Sequence, residues 1–274
     1  MEPRDPLRDF ALLAQQPDDR VRLDEAALAL ARTEYPLLDI PPQIARLDRL
    51  AGRLTCSPER PPLENIEALN KLLFEEEGFS GNDEEYDDPR NSFLNDVLDR
   101  KKGIPITLSL VYMEVARRRE IPVAGVGFPG HFLVKYLTGP SEILLDPYNR
   151  GIILSREDCE ERLRAHFGEE SELKPEYLVA STPKQILSRM LNNLKGSYFR
   201  RHDYAKVLTM IELALALEPD SRQEIHDRAM VYFLARRYTE AKADCQRFLE
   251  IAPQGDSQAT EIAQVLHRIR AMMN

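Results

Sequence analysis

The stretch Gly103-Ile-Pro-Ile-Thr-Leu-Ser-Leu-Val-Tyr-Met-Glu-Val-Ala-Arg-Arg-Arg119 is the most apolar helical segment of the chain, and with the residues just beyond it decides the fold. Pro105 suits a first helical turn, where its missing N–H costs nothing. Leu108, Val111, Tyr112 and Val115 recur at helical spacing as a buried face, with Ala116 at its edge. Arg117, Arg118 and Arg119 read as a solvated helix end favoured by the helix dipole. Beyond it, residues 123–127, 132–137 and 143–145 are short, β-rich and bounded by Pro or Gly. A two-residue turn at Thr138-Gly139 would pair residues whose numbers sum to 277. That register sets Lys135 opposite Glu142, a favourable cross-strand pair, and His131 opposite Asp146. An apolar helix on a small antiparallel sheet makes the fold class α+β.

Working towards the N-terminus, residues 5–76 read as helices. Leu7, Phe10, Ala11 and Leu13 recur at helical spacing, and so do Val21, Leu23, Ala26, Ala27, Leu30 and Ala31. Pro36, Pro41, Pro42, Pro61 and Pro62 break the stretch into several short helices. From Pro61 another helix places Leu63, Ile66, Leu69 and Leu73 on one face. Residues 75–88 then form a loop carrying eight carboxylates. It lacks the alternating acidic spacing that wraps a cation, so it reads as a solvated loop able to fold over a cleft. Helix resumes over residues 92–99.

Working towards the C-terminus, a repeat emerges. Tyr204 and Tyr238 are 34 residues apart, as are Pro219 and Pro253, and Tyr198-Phe199 recurs as Tyr232-Phe233. A 34-residue period with a central Tyr and a closing Pro is the tetratricopeptide signature, in which helix pairs bury their apolar faces by stacking on neighbours. A final helix over residues 258–272 closes a short array that needs a further neighbour. Residues 184–274 hold 14 basic and 11 acidic residues, leaving a net charge of −12 on the preceding part. This shift places a domain boundary near Pro183, giving units 1–182 and 183–274.

The 274 residues suit two domains, and 30% charged with 43% hydrophobic residues is ordinary globular composition. A net charge of −9 argues against a nucleic-acid partner. No apolar run reaches the roughly 18 residues of a membrane span. The charged opening, residues 1–6, has no apolar core behind it and reads as lacking a secretory signal. Cys56, Cys159 and Cys245 lie far apart in sequence, which fits a reducing cytoplasm better than a disulfide scaffold or zinc site. The five histidines show no metal-ligand spacing and no phosphate-binding glycine loop is present, so no cofactor or metal is expected.

The segments Asn91-Ser-Phe-Leu-Asn-Asp-Val-Leu-Asp-Arg100, Gly103-Ile-Pro-Ile-Thr-Leu-Ser109, Gly127-Phe-Pro-Gly-His-Phe-Leu-Val134 and Leu145-Asp-Pro147 resemble the bacterial SirB-type transglutaminase-like proteins, which join such a domain to tetratricopeptide repeats. The likeness spans nearly the whole chain and departs at Glu120, where Gly is expected. The resemblance implies a Cys-His-Asp site, with the Cys at the N-terminus of a buried helix. His131 matches the family's His and Asp146 its Asp. The nucleophile's place falls at Pro105, or at Ile106 or Thr107 with a small shift, and none of these is Cys.

Thr107 and Ser109 are candidate substitute nucleophiles, although hydroxyls near a helix start commonly cap or bond back to the helix. Cys159 reads as an inert thiol on a surface helix, and Cys245 as packed on a repeat helix. Two functions are open. One is a non-enzymatic interaction protein whose repeats bind a protein or peptide partner and whose cleft is a scaffold or pocket. The other is a hydrolase or acyl-transfer enzyme using a substitute nucleophile or a water activated by His131, with Asp146 as its orienter.

Overall fold

The computed structural model describes residues 6–139, 142–253 and 255–273. Residues 1–5, which carry most of the leader reading, lie outside that set. The chain forms two compact units. One comprises residues up to Asp9 and Gln16–Met190; the other comprises Phe10–Gln15 and the residues from Leu191 onward. The division falls within a single helix, Pro183–Arg200.

The first unit carries the short helices α1 (Pro6–Ala14, in part), α2 (Leu23–Ala31), α3 (Ile40–Gly52) and α4 (Pro62–Asn70), the last continuing through a π-helical turn to Glu76. After the acidic loop come α5 (Leu94–Arg100) and α6 (Pro105–Arg117). Every residue of α6 from Pro105 to Ala116 is buried, because it packs against α2, α3 and α5 and also against the sheet. Pro105 opens the helix as the sequence demands, and Ile104 N–H donates to the Thr107 hydroxyl at 3.1 Å, satisfying an amide that the helix leaves free. The far end departs from the solvated reading. Arg118 is 9% exposed and donates to Asp24, Asp48 and Glu114, while Arg119 donates to the Cys56 carbonyl. Two buried carboxylates, Asp24 and Glu114, demand these cations. Glu120 adopts φ +59°, the left-handed conformation for which Gly is the usual residue.

In the acidic loop, β1 (Ser80–Gly81) pairs in parallel with β2 (Lys102–Gly103), two short strands the hydrophobic pattern does not reveal. The main sheet has order β3 (Val123–Val126), β4 (Leu133–Leu137), β5 (Glu142–Asp146), β6 (Ile152–Leu154), antiparallel throughout. β6 is a strand that the sequence reading misses. The β4–β5 register pairs Lys135 with Leu144 and Leu137 with Glu142, two residues away from the expected alignment. The expected register would place Pro140 in the ladder opposite Leu137, and proline has no N–H to give. A two-residue shift keeps each side chain on its face, so Lys135 still meets Glu142 at 2.8 Å, now diagonally. Helix α7 (Arg156–Phe167) then packs Cys159 and Leu163 into a core with Val126, Phe128 and Leu133. Cys159 is thus interior, not on a surface helix.

The second unit is helical: the C-terminal part of α8 (Pro183–Arg200), then α9 (Tyr204–Leu217), α10 (Arg222–Leu234), α11 (Tyr238–Ile251) and α12 (Ser257–Met273). The 34-residue offset holds in detail. His202 and Arg236 both take a left-handed φ, 57° and 59°. In each repeat the amide just before the second helix donates back to a tyrosine carbonyl: Asp203 N–H to Tyr198 at 3.0 Å, Arg237 N–H to Tyr232 at 2.8 Å. Tyr204 rests on Phe199 with ring centroids 6.1 Å apart, as Tyr238 does on Phe233 at 6.0 Å.

Gly151 tests this architecture. It has φ +72°, and a Cβ there would fall 2.0 Å from the Asn70 amide oxygen, while Asn70 Nδ2 donates to the Gly151 carbonyl at 2.9 Å. Gly151→Ala is expected to cost about 2 kcal/mol or more. A urea midpoint unchanged at constant m would refute the tight packing of Asn70 on this turn.

Candidate functional site

His131 lies in a tight turn just before β4, not within the strand. Its N–H donates to the Phe128 carbonyl at 3.1 Å, with Pro129 second and Gly130 third at φ +70°, the residues a type II turn demands. Arg189 of α8 holds this turn from below. Its guanidinium donates to the Phe128 carbonyl at 2.8 Å and to the His131 carbonyl, and lies 5.6 Å from the Phe132 ring centroid. Burial pulls the Arg189 pKa below its ordinary value, and no carboxylate pairs with it among the described residues.

Asp146 ends β5 and caps the turn Pro147–Asn149. Its side chain has no exposed surface. Oδ1 accepts from His131 Nε2 at 2.9 Å and from the Tyr148 and Asn149 amides; Oδ2 accepts from Asn149 Nδ2 at 2.7 Å and Arg162 at 2.6 Å. Burial opposes ionisation, but His131 foremost, with Asn149 and Arg162, outweighs it and holds the carboxyl below the usual range. The Tyr148 ring stands edge-on to His131 at 5.9 Å, and its hydroxyl donates to Asp83 of the acidic loop at 2.6 Å. Burial and that hydrogen bond push the Tyr148 phenol up.

The two hydroxyl candidates lie elsewhere. Thr107 Oγ1 donates to the Asn91 carbonyl at 2.7 Å and accepts from Ile104 N–H, so it fastens the start of α6. Ser109 Oγ is buried with no hydrogen-bond partner among the described residues. Neither is hydrogen-bonded to His131. All three thiols are free and buried. Burial raises the pKa of Cys56 and Cys159 and pushes Cys245 to about 11.

Sequence reasoning thus juxtaposes His131 and Asp146 but misses Arg162, His166, Arg189 and Tyr148. One signal was available: Asp146 followed by Pro147 is the pattern of a cap. Arg162 and His166 depend on where α7 returns, for which no local pattern exists. A cleft of about 260 Å³ lies here, bounded by residues 128–131 on one side and by Arg162, Ala165 and His166 on the other. No group of three or more candidate ligands for a metal ion occurs among the described residues.

A profile of the transglutaminase-like superfamily matches residues 43–192, and a tetratricopeptide-repeat profile matches residues 194–274. The chain is 35% identical over 246 residues to a UPF0162 protein of Xylella fastidiosa, covering 88% of each, and 34% identical over 244 residues to one of Vibrio cholerae, covering 88% of this chain and 90% of that protein. F-box only protein 21 of Mus musculus is 31% identical over 179 residues, which is 61% of this chain and 28% of that protein. No solved structure matches.

The site yields a pH prediction. Asp146 has a folded pKa below its unfolded value of about 3.9, so it contributes stability above that value and loses it as pH falls through the folded pKa. Asp146→Asn is expected to cost about 3 kcal/mol at pH 7, because Arg162 and His131 lose a buried partner. The gap to the unaltered protein should shrink below pH 4. Urea unfolding at pH 7 and pH 3 checks this, and a gap that stays constant or widens in acid would refute it.

Proposed function

Because the chain belongs to the UPF0162 family of transglutaminase-like proteins with tetratricopeptide repeats, we propose that it is a non-enzymatic, regulatory interaction protein of the SirB type, acting in the cytoplasm. The observation that carries this reading is the start of α6. Where the resemblance places a nucleophile stand Pro105, Ile106 and a Thr107 hydroxyl already engaged with Ile104 and Asn91. A Pro or Ile side chain offers no attacking atom. The Thr107 hydroxyl lacks the general base at hydrogen-bond distance that its activation needs. The repeats supply the partner surface. Their second unit holds a groove of about 460 Å³ lined by Lys195, Phe199, Val207, His226, Met230 and Leu234. Phe199 and Leu234 are each 44% exposed, giving a protein or peptide partner apolar anchors. Three free, buried cysteines suit a reducing compartment.

The His131–Asp146 hydrogen bond favours one second reading, a hydrolase in which His131 activates water and Asp146 fixes its tautomer. Hydrolysis of protein substrates that is lost in His131→Ala but retained in Thr107→Val would establish it over the first.

Crosslinked capture from cell extract, followed by mass spectrometry, should recover a partner with the unaltered chain and lose it with Phe199→Glu or Leu234→Glu. The same proteins recovered by all three would refute the groove as the docking surface. Labelled-amine incorporation should be undetectable, and native alkylation of the cysteines should leave partner capture intact. Incorporation that disappears with Cys159→Ala or Cys56→Ala would overturn the non-enzymatic reading.

A further inference from the structure

The cleft beside His131 has a chemical bias. Its apolar walls are Phe128, Pro129 and Ala165, and its polar side chains are His131, Arg162 and His166. Among the described residues no carboxylate lines it. The nearby one, Asp146, is buried, and its two oxygens already accept five hydrogen bonds, more than the roughly four lone pairs a carboxylate offers. Asp146 therefore has no accepting capacity left for a ligand.

The donors are in the opposite condition. Arg162 has five N–H groups, and among the described residues only the one on Asp146 is engaged. His131 spends Nε2 on Asp146 and leaves Nδ1 without a hydrogen-bond partner among the described residues; Nδ1 accepts in the neutral ring and donates only in the imidazolium, so the free donors are those of Arg162. His166 makes no hydrogen bond among them either; its ring covers Gly130, where an added Cβ would fall 2.8 Å from it. The imidazole stands at the cleft wall, on an exposed face of α7 that leaves the mouth open. An amide ligand needs a donor and an acceptor opposite it, whereas a carboxylate needs donors alone. A guanidinium with a free edge binds a carboxylate through two parallel hydrogen bonds.

We propose that this cleft binds a carboxylate, either the C-terminus of a peptide or an acidic side chain, through the free edge of Arg162 with His131 and His166 flanking it. The proposal rests on reading the transglutaminase-like half as a binding module. At 260 Å³ the cleft accommodates a chain end or one side chain, not a folded segment. The ligand's carboxylate replaces solvent on the free guanidinium edge of Arg162, with the two imidazoles beside it. Asp146 keeps the ring of His131 turned so that Nδ1, not Nε2, is the atom offered.

The test uses the full chain at pH 7. Calorimetry is run with a short peptide bearing a free C-terminus, the same peptide as its C-terminal amide, and end-capped peptides containing Glu or Gln. Carboxylate forms are expected to bind at least tenfold more tightly than their amides. Binding by the free C-terminus alone identifies the chain end as the ligand, and binding by the capped Glu peptide alone identifies the side chain. Arg162→Gln should lose at least tenfold. Because Arg162 also braces Asp146, His166→Ala is the second variant; it lies on the exposed α7 face and should weaken binding several-fold. Equal affinity for carboxylates and amides, no binding of any probe, or full retention in both variants would overturn the proposal while leaving the non-enzymatic reading standing. Cleavage or deamidation of a probe would instead overturn that reading, with the carboxylate preference still judged from the paired affinities.

Discussion

The ionised carboxylate of Asp146 is the constraint around which the transglutaminase-like unit is arranged. A charge with no exposed surface is costly unless every lone pair is met, and here the partners come from three places: the turn before β4, the turn after β5 with its Asn149 side chain, and α7. Each partner fixes an element. His131 ties down the Pro129-Gly130 turn, Tyr148 and Asn149 set the chain's exit from β5, and Arg162 orients α7. Tyr148 carries the linkage one step further, since its hydroxyl meets Asp83 and so anchors part of the acidic loop near the same centre. Elsewhere the same stretch is held by cationic side chains, Lys101 on Glu77 and Arg90 on Asp88.

Arg189 works on the same turn from the other side. A guanidinium bonded to two backbone carbonyls, with no carboxylate beside it, is a costly arrangement that burial makes more so. What it secures is the backbone on which the imidazole stands, which makes Arg189 a positioning residue for His131. The turn needs that support: Gly130 has a left-handed backbone, and His166 closes over the space where any side chain would go. The imidazole is thus set by hydrogen bonds to its ring, to its backbone carbonyl and within its own turn.

Much of this was legible in the residues, and the boundary is physical. Helix α6 is visible because Pro105, its apolar spacing and its terminal arginines all point one way. The repeats are visible because an offset of 34 residues is recorded several times over. The pairing of His131 with Asp146 is visible because His131 stands just before β4 and Asp146 ends β5, the neighbouring antiparallel strand, so the hairpin brings them together even with a register wrong by two residues. What stays hidden depends on distant returns of the chain. Nothing near Arg118 announces the buried Asp24, 94 residues away, that makes it an interior cation. Nothing near Arg162 or Arg189 announces His131. β6 escapes because Ile152 and Ile153 are roughly half exposed on an edge, without the alternation that marks a half-buried strand.

The asymmetry between the two halves of the site stems from what each contributes to folding. At the start of α6, Pro105 is preorganised for a first helical turn, and the Thr107 hydroxyl secures Ile104 N–H and the Asn91 carbonyl. The helix loses nothing by having no thiol there. His131 and Asp146 are in the opposite position. Deleting Asp146 takes the buried carboxylate from both His131 and Arg162, at a cost of about 3 kcal/mol, a large fraction of a domain's stability. A His–Asp pair can therefore be held in place by folding alone, with no turnover to sustain it. A buried pair kept for stability could have used any tautomer and closed its outer face. Here Asp146 takes Nε2 and the unbonded nitrogen is Nδ1, beside an arginine with donors to spare. The carboxylate is thus fully engaged, and the donors left over at this centre are those of Arg162.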